Sequence, residues 1–301
     1  MFVLSTHCAD PAVATDAATG ATSQSALGSD EGDPGCKEPN AAAASGKNYS
    51  LWIHGRTAGT PSGFGYWIDG EGNNIAENAG VNPVAVDYDG QAHIAESNPT
   101  VVGYLDTYCT GQNSCYINAH SAGGAQIGYA EYYHPGAWNI IWVLTGGSAA
   151  GGSELAGNTA YFFTGYPMDL DLPVSTMRSL YNHDYLGDEI AGDVYNFLGG
   201  DYATLTTCLF AGGCVGGGGG NDSAVAFHSS GHFRSAGAYA TDDSTGGTAA
   251  SGTWWDHSHA LWVDSTSGVA GHCVAREYPC QEGTAGGIMG IVAATATGYE
   301  S

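Results

Sequence analysis

Residues Asn118–Tyr129 read NAHSAGGAQIGY, and this stretch decides how the remaining sequence is interpreted. The apolar and aromatic residues CYI lie just before it, and small and apolar residues at helical spacing follow Ser121. The stretch therefore predicts a strand, a sharp turn and a helix in that order. Ser121 falls on the turn, with Gly123 and a second glycine close behind it.

Composition and charge limit the classes of function. Hydrophobic residues make up 43% of the 301 residues, which is enough for a folded domain with a sizeable core. The formal net charge is −24, because 30 acidic residues face only 6 lysines and arginines. Such a surface cannot neutralise a run of phosphates, so we expect no nucleic-acid partner and no electrostatic docking on anionic membranes. No apolar run reaches the ~18 residues of a membrane span, so no integral membrane segment is predicted.

The cysteine spacing indicates disulfides. Three closely spaced pairs are separated by long cysteine-free stretches, and two further cysteines lie near the N-terminus: Cys109 with Cys115, Cys208 with Cys214, Cys273 with Cys280, and Cys8 with Cys36. No C-x-x-C pair occurs, which favours disulfides that staple loops over structural zinc. Because disulfides persist in oxidising compartments, we expect a secreted or extracytoplasmic protein.

The chain divides into a tail and one folded domain. Residues 1–46 are rich in small and polar residues, with few large apolar side chains, and are predicted to be a low-complexity tail or tether. Residues 47–301 form the predicted domain. Within it, YSLWIHG and VNPVAVDYDG are β-prone runs that end at glycine.

Further segments complete an alternating pattern. NPTVVGYLDTYC has helical spacing, AWNIIWVLTGG is an apolar run typical of a strand, and PVSTMRSLYNHD, residues 173–184, is a further β-prone run. Strands that alternate with helical connections predict an α/β fold with a mostly parallel central sheet.

The serine stretch resembles the nucleophile elbow of the α/β-hydrolases, usually written G-x-S-x-G. Ala119 replaces the first glycine, and Gly123 matches the second. Both positions must be small, because larger side chains would collide with the adjoining strand and helix. The resemblance implies an α/β-hydrolase fold, with helices on both faces of the sheet and residues 47–301 as the catalytic domain. It also implies that Ser121 is the nucleophile.

An oxyanion hole requires two backbone donors. In this fold one comes from the residue after the nucleophile, which is Ala122. LWIHGR resembles the His-Gly element of lipases, and it implies that the backbone of Arg56 supplies the second.

The remaining residues of a catalytic triad follow in the order acid, then histidine. GGNDSAVAFHSSGH resembles the segment that carries the acid in secreted bacterial lipases, which points to Asp222. WWDHSHALW resembles the pattern at the lipase histidine, which favours His257 over His259. Asp184 and Asp188, which follow a β-prone run, remain alternatives for the acid.

Together these resemblances imply a serine hydrolase of the lipase or carboxylesterase type that cleaves an ester or lipid-like substrate, small or polymeric, through an acyl-enzyme. A polyester depolymerase, an amidase or peptidase, and a non-catalytic binding protein are the alternatives. Glu154–Pro173 is a candidate lid. Acidic loops containing Asp169 and Asp171 lack the spacing of an EF-hand, so no metal and no cofactor is assigned, and calcium binding stays an open alternative.

Overall fold

A computed structural model describes residues 46–56, 81–157, 164–184, 194–198, 224–234 and 258–262. Six strands form one sheet in the order β2-β1-β3-β4-β5-β6, and every neighbouring pair is parallel. The strands are β1 Asn48–Ile53, β2 Asn82–Val86, β3 Ser114–His120, β4 Ile140–Gly146, β5 Val194–Leu198 and β6 Ser258–Trp262. The predicted α/β class with a parallel sheet is confirmed. The predicted tail lies outside the described residues, apart from Gly46.

Five helices are described between or after these strands: α1 Ile94–Tyr108, α2 Ala122–Tyr133, α3 Met168–Asp171, α4 Val174–Leu180 and α5 Phe227–Ser230. The helices predicted around NPTVVGYLDTYC and after Ser121 are confirmed as α1 and α2. α1 and α2 pack side by side. α1 lies on the crossover from β2 to β3, which flank β1 in the sheet, and α2 lies on the crossover from β3 to its neighbour β4.

The β-prone interpretation of residues 173–184 is wrong, because this stretch contains α4. Val174, Met177 and Leu180 recur every three residues, which is the spacing of one helix face and not of a strand. Met177 is fully buried, and Pro173 directly precedes the first turn. Short β-branched and polar residues between these positions produced the misleading pattern.

The centre of the sheet is β3, all seven residues of which are buried. It pairs with β1 on one side and β4 on the other. Leu51, Ile117 and Val143 from these strands lie in one core cluster with residues of α1 and α2. A strand held on both sides and both faces gives a rigid base for the residue that follows its C-terminal end.

A disulfide joins Cys109 to Cys115 and ties the end of α1 to the start of β3. This confirms one of the predicted pairs, and the other cysteines lie outside the described residues. Among the described helices, none is both long and apolar enough to cross a bilayer.

Two buried histidines lie beside α4. The ring of His183 stacks on Tyr181, with 3.9 Å between the ring centroids, and its Nε2 lies 2.7 Å from the Met177 carbonyl oxygen. Burial lowers the pKa of His183 to about 4. His232 is also fully buried, and burial and the neighbouring charges lower its pKa as well.

These pKa shifts predict a loss of stability in mild acid. An unfolded histidine takes up a proton near pH 6.5, whereas folded His183 does so only near pH 4. The folded state therefore binds fewer protons between these values, and the unfolding free energy should fall by roughly 3 kcal/mol across this window through His183. Urea unfolding at a series of pH values measures the effect. His183→Gln, which keeps a donor toward Met177, should show a shallower dependence; equal slopes in both proteins would contradict this assignment.

Candidate active site

Ser121 has a backbone conformation that residues with a side chain rarely adopt. Its φ is 53° and its ψ is −122°, at the junction of β3 and α2. Such a conformation is strained and persists only where the surroundings hold it. The Ser121 amide donates to the Gly146 carbonyl at 3.1 Å, and the Ser121 carbonyl accepts from the amides of Ala149 at 2.9 Å and Gly124 at 3.1 Å. The end of β4 and the loop after it thus fix the serine.

The small residues around Ser121 are required by close backbone contacts. A Cβ on Gly123 would lie 2.4 Å from the Ile53 carbonyl oxygen and 2.8 Å from that of His54. Ala119 is fully buried, and a Cβ is accommodated there. The close contacts at Gly123 confirm the prediction that this position must be small, and the alanine two residues before the serine is compatible with the elbow.

The turn after β1 lies directly against the serine. A Cβ on Gly55 would be 2.5 Å from the Ser121 Cβ and 3.1 Å from its Oγ. Arg56 follows Gly55, and Ala122 follows Ser121, so the two predicted oxyanion donors belong to residues next to this contact. Their role as donors stays a prediction.

The buried His54 side chain holds this turn in place. Its Nδ1 lies 2.7 Å from the Gly55 carbonyl oxygen, and its Nε2 lies 3.0 Å from that of Tyr88. The Tyr88 hydroxyl donates to the His54 carbonyl at 2.7 Å, and the two rings stack with 4.2 Å between centroids. Burial lowers the pKa of His54, so the ring is neutral at neutral pH. Whichever nitrogen carries the proton donates to the carbonyl it faces, which gives His54 a structural role.

The Arg56 side chain is held by residues of the predicted lid. Its Nη2 donates to Asp169 Oδ2 at 2.9 Å, its Nε donates to Oδ1, and its guanidinium lies 4.9 Å from the centre of the Tyr166 ring. Met168 and Asp169 are buried, so this part of Glu154–Pro173 packs inside the protein. Asp169 is therefore a paired interior carboxylate, not one of a set of solvated loop aspartates.

Asp222 lies outside the described residues, but the segment that begins two residues later is described. The Ala224 carbonyl accepts from Ser153 Oγ at 2.6 Å, and Ser229 Oγ donates to the Ser148 carbonyl at 3.2 Å. Ser148 and Ser153 belong to the loop after β4, at the edge of the sheet where Ser121 lies. This packing brings the segment that begins at Ala224 to the edge of the sheet where Ser121 lies, and the role of Asp222 as the acid stays a prediction.

The alternative acids differ in their surroundings. Asp184 is half-exposed and forms an ion pair with Arg234, with 2.7 Å between Oδ1 and Nη2. A surface ion pair is a poor environment for a residue that must orient a buried imidazole. Asp188 lies outside the described residues.

His228 forms a close pair with a carboxylate but is not placed to act as a base. Its Nε2 lies 2.5 Å from Glu154 Oε1, and Arg178 Nη2 donates to its Nδ1 at 2.9 Å. A general base needs one ring nitrogen directed at the nucleophile. Because Glu154 and Arg178 occupy both nitrogens, this trio links α4, α5 and the loop after β4.

His257 lies outside the described residues and directly precedes β6. The register aligns one residue from each of four strands at one level of the sheet: Ser258, Val194, Val143 and Ile117. Ser121 lies four residues beyond Ile117, which is about 13 Å along the strands, and β6 is three strands from β3, which is about 14 Å across the sheet. The register therefore places Ser258, the first residue of β6, well short of the level of Ser121, and the role of His257 as the base stays a prediction. His259 is the second residue of β6, still short of the level of Ser121.

Strand direction points to two residues that the sequence analysis did not consider. Catalytic groups in this fold follow the carboxyl ends of the strands. Asp201 comes three residues after β5, and His272 is the only histidine in the sequence after β6. Both lie outside the described residues. The missing signal was the bounds of β5 and β6, which had not been predicted.

A parallel sheet in this strand order, a strained serine between its central strand and a helix, and a His-Gly turn against that serine define the α/β-hydrolase fold. No protein-family description matches the chain by sequence, and no curated protein matches it.

Three solved structures illustrate what the chain is similar to. The mature form of a Bacillus licheniformis lipase is 17% identical over 75% of this chain and 89% of its own, with a TM-score of 0.47. A phospholipase from Legionella pneumophila is 13% identical over 62% of this chain and 45% of its own, with a TM-score of 0.44. A metagenomic carboxyl esterase is 14% identical over 52% and 51%, with a TM-score of 0.41. The fold assignment rests on the sheet and the elbow.

The contact between Gly55 and Ser121 predicts the effect of one added methyl group. Gly55→Ala should slow the reaction of Ser121 with a fluorophosphonate by at least about tenfold, because the new Cβ would displace the turn or the serine. Gly103→Ala is the matched control, since a Cβ there meets nothing within 4 Å and favours the helix. Labelling rates from mass spectrometry measure the difference. Equal rates in the two variants would show that the turn does not constrain the serine.

Proposed function

We propose that this protein is a secreted serine hydrolase that cleaves carboxylic esters through an acyl-enzyme. The observation that carries the proposal is the strained backbone of Ser121 with the Gly55 turn packed against it. A strained serine at the carboxyl end of a central strand exposes its hydroxyl to the cleft above the sheet. Cys109–Cys115 supports an oxidising location.

In the proposed reaction, Ser121 Oγ attacks the ester carbonyl carbon while a histidine takes its proton. The backbone N–H groups of Arg56 and Ala122 donate to the oxyanion of the tetrahedral intermediate. The histidine then gives its proton to the leaving alcohol. In the second half, the same histidine takes a proton from a water that attacks the acyl carbon, and it returns that proton to Ser121 Oγ as the carboxylic acid is released. Asp222 is the proposed acid that holds the imidazole in the required tautomer. The fixed turn and elbow supply the oxyanion donors without reorganisation.

The base has two candidates that rest on different grounds. The motif DHSHALW favours His257, whereas the register of β6 favours a histidine after Trp262. We propose His272, because the distance between Ser258 and Ser121 exceeds the reach of two side chains. For the acid, packing after Asp222 supports that residue, and Asp201 is the competitor at the end of β5.

The proposal is tested first at the nucleophile. A fluorophosphonate should label Ser121, and Ser121→Ala should abolish labelling and lower ester hydrolysis by more than about 10³-fold. Ser179→Ala, at an exposed serine of α4, is the matched control and should keep both. Peptide mass spectrometry locates the adduct. A folded, oxidised wild-type protein that forms no adduct would favour the binding-protein alternative, and an ester and an amide with the same acyl group separate esterase from amidase.

The base is tested by paired substitutions. His272→Ala should lower kcat by at least about 10³-fold, and His257→Ala should have a small effect, because only the former follows the strand end. Asp222→Asn and Asp201→Asn test the acid in the same assay, with circular dichroism to check the fold. A severe effect at His257 with a mild effect at His272 would contradict this choice and return the base to His257.

A further inference from the structure

Two aspartates on α3 each hold a different element of the fold. Asp171 accepts a hydrogen bond from the Ile94 amide at 2.7 Å and contacts His93 Nδ1 at 2.9 Å, so it caps the start of α1. Asp169 binds Arg56, which follows the turn against Ser121. The two carboxylates lie two residues apart on one short helix but reach different partners. This makes them a matched pair for separating structural from catalytic effects.

Asp169 is the fixed partner of its ion pair. Its carboxylate also accepts from Thr164 Oγ1, its amide donates to the Tyr166 carbonyl at 2.9 Å, and its carbonyl accepts from the Gly157 amide at 2.8 Å. Its side chain is 3% exposed, whereas that of Arg56 is 31% exposed. A buried carboxylate with so many bonds has little freedom. Arg56 therefore takes its position from Asp169 and not the reverse.

The pairing restricts more than the end of the Arg56 side chain. Two parallel N–H···O bonds fix both the position and the plane of a guanidinium, which a single bond does not. The Tyr166 ring lies against the same guanidinium. At its other end, Arg56 is joined to Gly55, which contacts Ser121. The main chain of Arg56 is thus held between the elbow on one side and Asp169 on the other.

We infer that Asp169 is a positioning residue, which holds the Arg56 side chain so that the Arg56 backbone N–H points at the oxyanion. This inference rests on the proposed function, in which that N–H is the second oxyanion donor. Removal of a donor from an oxyanion hole lowers the rate of the chemical step far more than it weakens substrate binding. A misplaced donor should likewise lower the rate of the chemical step more than it weakens substrate binding, but by a smaller factor than complete removal.

The test compares Asp169→Asn with Asp171→Asn in the full chain, using a p-nitrophenyl ester. Asp169→Asn should lower kcat by at least about tenfold with KM changed less than about threefold. Asp171→Asn should lower the melting temperature to a similar degree but leave kcat within about twofold, because its partners belong to α1. The ratio of kcat for the ester to kcat for its thionoester gives a second readout. Sulfur is a weaker acceptor, so a damaged oxyanion hole should reduce this ratio.

A double substitution shows whether the effect passes through Arg56. In an Arg56→Gln background, Asp169→Asn should cause no further loss of kcat, since the pair is already broken. If Asp169→Asn does not fold, Arg56→Lys replaces it, because a lysine makes one bond where arginine makes two, and it should show the same loss of kcat. Equal kcat losses in the Asp169 and Asp171 variants, or an unchanged ester-to-thionoester ratio, would overturn the inference. If the wild-type protein neither hydrolyses the ester nor labels at Ser121, the proposed function itself has failed.

Discussion

The structure depends on holding one residue, Ser121, at a positive φ between a buried strand and a buried helix. Three main-chain hydrogen bonds hold it there, from the end of β4, the loop after β4 and the first turn of α2. Those bonds exist only if β3 lies between β1 and β4 in the observed register. The approach of Gly55 and Gly123 to the neighbouring backbone follows from the same arrangement. The whole sheet thus contributes to the geometry of one side chain.

Local pattern was sufficient to predict the first half of the fold. The strand, turn and helix around Ser121, the helix before it and the disulfide between Cys109 and Cys115 depend on contacts close in sequence. The α4 segment was predicted as β-prone because its short β-branched residues obscured the three-residue spacing of Val174, Met177 and Leu180. The burial of Met177 shows that this spacing belongs to the buried face of a helix. Strands β5 and β6 were not predicted, since short runs flanked by glycine-rich segments carry little periodicity. The position of a base or acid relative to Ser121 depends on where those strands end, so the choice of His257 from its motif stays a prediction.

Contacts between distant residues could not be read from sequence at all. Arg56 and Asp169 are 113 residues apart, and His228 and Glu154 are 74 apart. Each pair brings a charged or polar group into the interior, where it must be satisfied by a partner. In the sequence the aspartates of α3 resemble solvated surface acids, because their partners are not close to them along the chain. Their contacts instead show a short helix that connects the turn after β1 with the start of α1.

The use of arginine has a consequence for the electrostatic field around the molecule. Arg56 and Arg178 are two of the chain's 6 cationic side chains, and both are engaged with acceptors within the fold. The molecule as a whole then has only 4 further lysines and arginines to offset its 30 aspartates and glutamates. Its potential extends outward by a screening distance of about 8 Å at physiological ionic strength and about 3 Å at 1 M salt. Any anionic species near the molecule is repelled by this field, and the salinity of the surroundings sets how strongly.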